Sequence, residues 1–288
     1  MFESEGAIGV MDSGVGGVSV LNALRLLLPY ENYVYLSDSM HAPYGRRTPN
    51  EIAEIVVRNA DQLIAMGCKA LVVACNTATA VAVSGLRECF PQTPIVGLEP
   101  AVRPALRYAS ENGGDVLVLA TDVTVRENRF KRLCERCCAD IGGDFIGDNT
   151  NSAVNHVDTP CVYALSIQKT VDFVEMGQGN SALHTEYLKE CFSPYRNRRF
   201  SAVVEGCTHF PFAEKSISDA LGYLPRFFDG AHGAARRVRE LLSASPPLLL
   251  SKKNRRGWVE WLDTVGKSGY AEKFRLFSLK KTDQSERK

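Results

Sequence analysis

Long apolar runs are missing from this sequence: nowhere in its 288 residues do about 18 apolar residues stand together, so no segment reads as a membrane-spanning helix. An excess of charge is missing too. Lys and Arg number 34 against 33 Asp and Glu, a formal net charge of +1, which gives nucleic acid or an anionic membrane no electrostatic handle. The opening MFESEGAIGV has neither the basic stretch nor the apolar core of a signal peptide, and a cytoplasmic location is expected. Thiols stay reduced there, and the nine cysteines, odd in number and irregularly spaced, do not suggest a disulfide framework. Cys134 and Cys137 make a C-x-x-C, but no second pair matches it, so no metal site is expected. Apolar residues, at 45%, are enough to bury the cores of one large domain or two ordinary ones.

Two stretches organise what is present. In ALVVACNTATA the run Leu71-Val72-Val73-Ala74 stops at Cys75-Asn76-Thr77, and in AVVEGCTHFPF the pair Val203-Val204 leads to Cys207-Thr208-His209. A short apolar run that ends in small polar residues reads as a buried parallel strand. The carboxyl ends of such strands are where open α/β sheets bind ligands.

The remaining chain is read as repeated strand and helix. Ile8 to Met11 forms a strand that stops at Asp12-Ser13 and a glycine turn, and Val18, Leu21, Leu24 and Leu27 follow at helical spacing. A dinucleotide fingerprint fails here, because Ser19 stands at its sixth position and Asp12 puts a carboxylate where pyrophosphate would approach. Asp12 and Ser13 either meet a polar ligand or only cap the helix. Tyr33 to Leu36 is a strand leading to Asp38. Ser39 to Arg47 is a loop by Pro43 and Gly45, in which Tyr44 and Gly45 are ligand candidates or parts of a plain surface turn, and His41 is expected to be solvated. Thr48-Pro49-Asn50-Glu51 starts a helix. A strand over Thr93 to Pro100 precedes a fresh series with the helix from Val102 and the strand Val116 to Ala120, which stops at Thr121-Asp122-Val123-Thr124. Residues 141–160 read as a loop with no assigned role, Val171 to Gly177 as apolar alternation around Glu175, and Ser181 to Phe192 as a helix. After a strand at Phe227-Phe228 and a helix to about Leu242, the basic tail from Ser251, with Trp258, Trp261 and Phe274 at loosely helical spacing, is expected to form a terminal helix. The fold class is α/β with mainly parallel sheets, in two domains: 1–98 plus 228–288 on the Cys75 side and 99–227 on the Cys207 side.

Two cysteines in matched settings suit proton transfer better than nucleophilic attack. A nucleophile needs one activated thiol with its own histidine and a third orienting group. A racemase or epimerase needs two proton carriers, one as base and one as acid, on opposite faces of one carbon. Asp12 and His209 would tune or orient the thiols, and Ser13, Thr77 and Thr208 would hold a carboxylate. No lysine stands at a strand end as a pyridoxal Schiff base, so no cofactor is expected. Both cysteines being buried core residues remains an open alternative.

The motifs Asp12-Ser13-Gly14-Val15-Gly16-Gly17, Pro43-Tyr44-Gly45, Ala74-Cys75-Asn76-Thr77-Ala78 and Gly206-Cys207-Thr208-His209-Phe210-Pro211 resemble, in order, those of bacterial glutamate racemases. The resemblance runs from Ile8 to about Val238. It implies two doubly wound α/β domains related by a pseudo-twofold with the active site in the cleft between them, and cofactor-independent interconversion of L- and D-glutamate. Cys75 and Cys207 match the catalytic cysteines, and Asp12, Ser13, Tyr44, Gly45, Asn76, Thr77, Thr208 and His209 the substrate-binding positions. Thr121, Thr124 and Glu175 resemble supporting residues. A homodimer and a role in supplying D-glutamate for peptidoglycan are also implied.

The chain departs from the pattern at Glu205, where relatives usually carry an apolar residue, and between Thr124 and Glu175, which looks longer. Alternatives within the resemblance are an aspartate or hydantoin racemase, a decarboxylase that would need only one thiol, and a silent amino-acid-binding relative. His209 favours glutamate over aspartate.

Overall fold

The computed structural model describes residues 6–147, 159–244, 250–251 and 255–266. In chain order the elements are β1 (Ile8–Asp12), α1 (Val18–Leu27), β2 (Tyr33–Ser37), α2 (Pro49–Ala65), β3 (Ala70–Val73), α3 (Asn76–Cys89), β4 (Ile95–Gly97), α4 (Val102–Asn112), β5 (Asp115–Ala120), α5 (Asp122–Arg126) and α6 (Asn128–Ile141). They continue with β6 (Asp144–Gly147), β7 (Cys161–Ser166), α7 (Lys169–Glu175), α8 (Ala182–Phe192), β8 (Phe200–Gly206), α9 (Glu214–Leu221), β9 (Arg226–Phe228), α10 (Ala231–Ala244) and β10 (Val259–Asp263). Two compact units result, the first from residues 1–99 and 231–288 and the second from residues 100–230.

Each unit is built on one five-stranded sheet, and every pairing in both is parallel. The first sheet has the order β10-β2-β1-β3-β4 and the second β6-β7-β5-β8-β9. The central strands β1 and β3 are buried along their length, as continuous apolar sequence requires when helices cover both faces. The first strand of each unit is central: β1 has β2 on one side and β3 on the other, and β5 has β7 on one side and β8 on the other. The points between β1 and β3, and between β5 and β8, are therefore topological switch points, where open α/β sheets bind their ligands.

Local signals account for the helix starts. Thr48 and Glu51 close a capping box at α2, with Pro49 in the first turn. In the second unit Val116, Val118, Val162, Val204 and Phe130 form a core into which Cys134, Cys137 and Cys138 of α6 also pack, so those three thiols serve as small apolar groups.

The structure corrects the secondary structure read from the sequence at three places. The segment at Trp258 and Trp261 is the strand β10, not a helix: it lies in register with β2, Val259 opposite Tyr33, and Trp261 packs on Tyr35 with ring centroids 5.3 Å apart. The open edge of β2 outweighs the helical spacing of the tryptophans, and Phe274 lies outside the described residues. Within the stretch read as a loop, Asp144–Gly147 is an edge strand on β7, and β7 itself was not assigned; residues 148–158 are not described. Val171 to Glu175 lies in a helix, because Val171 and Val174, three apart, share the buried face.

Gly206 shows how tightly the second switch point is built. A Cβ there would lie 2.7 Å from the Leu119 carbonyl oxygen and 3.0 Å from the Ala120 Cβ. We expect Gly206→Ala to cost about 1–3 kcal/mol of stability through overpacking, seen as a lower urea midpoint with unchanged slope; an unchanged midpoint would refute this.

Candidate active site

The first unit gathers its candidate residues at the carboxyl ends of β1, β2 and β3. Asp12, at the end of β1, is buried, and its Oδ2 accepts the backbone N–H of Gly14 at 3.2 Å and of Gly17 at 3.1 Å. Those are the amides a pyrophosphate would need, so Asp12 itself fills the glycine turn. Gly17 must lack a side chain, since a Cβ would meet the Asp12 Cβ and the Tyr35 hydroxyl, each at 2.7 Å. The Tyr35 hydroxyl donates to the Gly14 carbonyl at 2.8 Å and braces the turn from the neighbouring strand.

Cys75 follows β3 and is the N-cap of α3. Its Sγ accepts the Ala78 N–H at 3.5 Å, and its thiol reaches the Ser13 hydroxyl at 3.8 Å. The sulfur sits at the start of a 14-residue helix, at the positive end of its dipole. Thr77 is buried beside it. Asn76 is 3% exposed, and neither its amide nitrogen nor its oxygen has a hydrogen-bond partner among the described residues. An unpaired buried amide costs about 1–3 kcal/mol.

Tyr44 and Gly45 are buried in a short 3-10 turn of the 39–47 loop. The Tyr44 hydroxyl donates to Asp38 Oδ2 at 2.6 Å, and Asn59 Nδ2 donates to the Tyr44 oxygen at 3.3 Å. Asp38 Oδ1 accepts from His41 Nδ1 at 2.7 Å and from the Thr264 hydroxyl at 2.9 Å. His41 is thus a half-buried partner of a carboxylate rather than a solvated side chain. Asp38 is wholly buried, which raises its pKa, but the hydrogen bonds from Tyr44, His41 and Thr264 outweigh burial and hold it below the ordinary value. Tyr44 is pushed up by burial and by the Asp38 charge, so it stays a protonated donor. The sequence shows these residues close together after one strand, but not that they share an acid; the spacing of Asp38, His41 and Tyr44 was the available signal.

The second unit repeats the placement with different chemistry. Cys207 follows β8 across the switch point from Thr121, which caps α5 at the end of β5. The Thr121 and Thr124 hydroxyls lie 2.9 Å apart and are buried. His209 Nδ1 is 3.8 Å from Cys207 Sγ, and its Nε2 is 2.7 Å from Glu175 Oε1, so thiol, imidazole and carboxylate form a line. Burial would strip the proton from His209, but the bonds to Cys207 and Glu175 reverse this and hold its pKa well above the ordinary value. Thr208 is buried between them in sequence. Glu205 is buried in β8, in register with Leu119.

Gln168, just past β7, was not singled out in the sequence; it is 9% exposed and neither amide atom finds a partner among the described residues. Burial pushes the Cys68 and Cys138 thiols up to about 12, which leaves them unreactive. Among the described residues no group of three or more His, Cys, Asp or Glu is arranged to hold a metal ion.

The fold and site together describe an α/β protein with two parallel sheets, each carrying a buried thiol beside hydroxyl groups at its switch point. The family model for Asp/Glu/Hydantoin racemases matches residues 8–238. The chain belongs to that family, and it is a racemase. It is 37% identical over 246 residues to the glutamate racemase of Clostridium perfringens, a match covering 85% of this chain and 86% of that one. Escherichia coli glutamate racemase, in its crystal structure with L-glutamate and the activator UDP-MurNAc-Ala, is 27% identical with a TM-score of 0.70 over 90% of this chain and 98% of that one. The fold is also that of the Francisella tularensis glutamate racemase crystallised with D-glutamate, at a TM-score of 0.76 and 24% identity over 96% and 94% of the two chains.

Two outcomes follow from the charges. The stability that Asp38 contributes is present above the ordinary carboxylate pKa of about 3.9 and is lost as pH falls through its depressed value. Tyr44→Phe should therefore cost about 1–3 kcal/mol at pH 7, a difference that shrinks below about pH 4 in urea titrations; a pH-independent difference would contradict this. His209 has the opposite sign: its contribution is present at low pH and lost as pH rises through its raised pKa. In Glu175→Gln the His209 imidazole, followed by NMR, should titrate at lower pH than in the wild type, and an unmoved titration would show that Glu175 does not hold that proton.

Proposed function

We propose that this racemase interconverts L- and D-glutamate without a cofactor, using Cys75 and Cys207 as the two proton carriers. The observation that carries the reading is the matched placement of the two thiols, each after the strand beside the central one, on the same side of its sheet. In one direction a thiolate removes the α-proton and becomes a thiol, and the carbanion is held by hydrogen bonds to its carboxylate. The other thiol gives a proton to the opposite face of the α-carbon and becomes the thiolate. The substrate is inverted and the two cysteines have exchanged protonation states; exchange of protons with water resets them for another turnover in the same direction, and the reverse reaction starts from the exchanged state.

The two thiols are prepared differently. Cys75 lies at the positive end of α3, where its sulfur meets the Ala78 N–H. Cys207 lies against His209, whose proton Glu175 secures. Asn76, with its unpaired buried amide, binds the polar end of the amino acid, helped by Ser13, Thr77, Thr208 and the Tyr44-Gly45 turn, while Thr121 and Thr124 support the Cys207 side. The product D-glutamate would serve peptidoglycan synthesis in the cytoplasm, and the active form would be a homodimer, as the resemblance implies. The named substrates of the similar proteins, glutamate in each case, support this choice over aspartate.

The test is proton NMR of the metal-free protein with L-glutamate in D2O, alongside circular dichroism of the substrate. Loss of the α-proton signal together with loss of ellipticity is expected. Cys75→Ser and Cys207→Ser should each lower the racemisation rate by about 10²-fold or more, and substantial activity in either variant would sink the two-base assignment.

A further inference from the structure

The family match ends at residue 238, whereas β10 begins at Val259. None of the candidate site residues lies on this strand, yet its end is bonded to the loop that carries two of them. The Thr264 hydroxyl donates to Asp38 Oδ1 at 2.9 Å and accepts the Met40 N–H at 3.0 Å. The Thr264 N–H donates to the Ser37 carbonyl at 3.1 Å. One residue earlier, Asp263 Oδ2 accepts from the Ser39 hydroxyl at 2.6 Å. A strand that only covered the edge of β2 would need its backbone and the Tyr35–Trp261 packing. The side-chain bonds of Asp263 and Thr264 do something further: they seize residues 38, 39 and 40, where the loop leaves β2.

The bonds continue to Tyr44. Asp38 offers two oxygens in a wholly buried setting. Oδ2 holds the Tyr44 hydroxyl, and Oδ1 is shared between His41 and Thr264. His41 is 24% exposed, so Thr264 is the donor to Oδ1 that comes from outside the loop. Among the described residues, the donors to the carboxylate that remain without it, Tyr44 and His41, both belong to the loop. Charge-assisted hydrogen bonds are strong because one partner is ionised, but a carboxylate free to turn no longer fixes the phenol's direction.

We propose that Thr264 is a positioning residue for substrate binding: from the end of β10 it locks Asp38 and Met40 and thereby holds the Tyr44-Gly45 turn in its binding geometry. The substrate part rests on the assignment of that turn to glutamate, while the lock itself does not. The C-terminal strand thus serves as a strap on the substrate loop.

The experiment compares full-length wild type, Thr264→Val and Thr264→Ser by hydrogen-exchange mass spectrometry and by steady-state racemisation. Valine keeps the shape and removes both side-chain hydrogen bonds, while serine keeps them. Expected in Thr264→Val are exchange in peptides spanning residues 38–46 faster by about tenfold and a KM for glutamate raised about fivefold with kcat within about twofold. Thr264→Ser should restore both. If loop exchange in Thr264→Val equals that of the wild type, the lock does not exist. If exchange quickens but KM stays unchanged, Thr264 is structural only and the positioning role is overturned. A wild type that never turns over glutamate would refute the functional reading instead, and the exchange comparison would still decide the lock. Should Thr264→Val fail to fold, Asp263→Asn, which weakens the hold on Ser39, should quicken the same peptides.

Discussion

Parallel strand pairing is the constraint on which the rest of the molecule depends. When all five strands of a sheet run the same way, their carboxyl ends share one edge, and every loop leaving that edge is brought near its neighbours. Asp12, Asp38 and Cys75 are far apart in sequence yet follow β1, β2 and β3 and so meet at one edge of the first sheet. The second sheet does the same for Thr121 and Cys207, which follow β5 and β8. The central position of β1 and β5 divides each edge at a switch point, and the cysteine lies beside that point in both units.

Equal placement does not bring equal chemistry. Cys75 caps a long helix, and its sulfur meets a backbone N–H. Cys207 precedes only a three-residue 3-10 turn, and its local positive charge comes from His209, kept protonated by Glu175. A backbone dipole cannot be titrated away, whereas an imidazolium can. The Cys75 side is thus set by the fold, and the Cys207 side by two side chains and by pH. The helix α7 that carries Glu175 is short, so that side also depends on a single turn beside the His209 ring.

The first unit stores its polar cost in a different place. Burying Asp38 is unfavourable alone and becomes tolerable because Tyr44, His41 and Thr264 all donate to it. These donors come from the loop and from the C-terminal strand, so a buried charge joins two segments that are remote in sequence. Asn76 is the opposite case, a buried amide left without a hydrogen-bond partner among the described residues. One polar group is satisfied to build the loop, and the other is not.

Much of this was legible in the residues themselves. The alternation of apolar strands with helices, the capping box at Thr48 and Glu51, and the two strand-end cysteines follow from local physics, because burial pattern and cap chemistry act over a few residues. The stretch around Cys161 and Glu175 was less legible, since a seven-residue helix with two buried valines looks much like alternation. The strand β10 was misread for a further reason: whether Trp258 and Trp261 lie on a helix or a strand is decided by the open edge of β2, which no local pattern records. The sequence by itself determined which residues are capable of the chemistry, because thiol, imidazole and carboxylate are properties of side chains. Only the tertiary structure decided that Thr264 reaches Asp38 and that Glu175 reaches His209, since hydrogen bonds between distant segments exist only once the sheet has brought them within 3 Å.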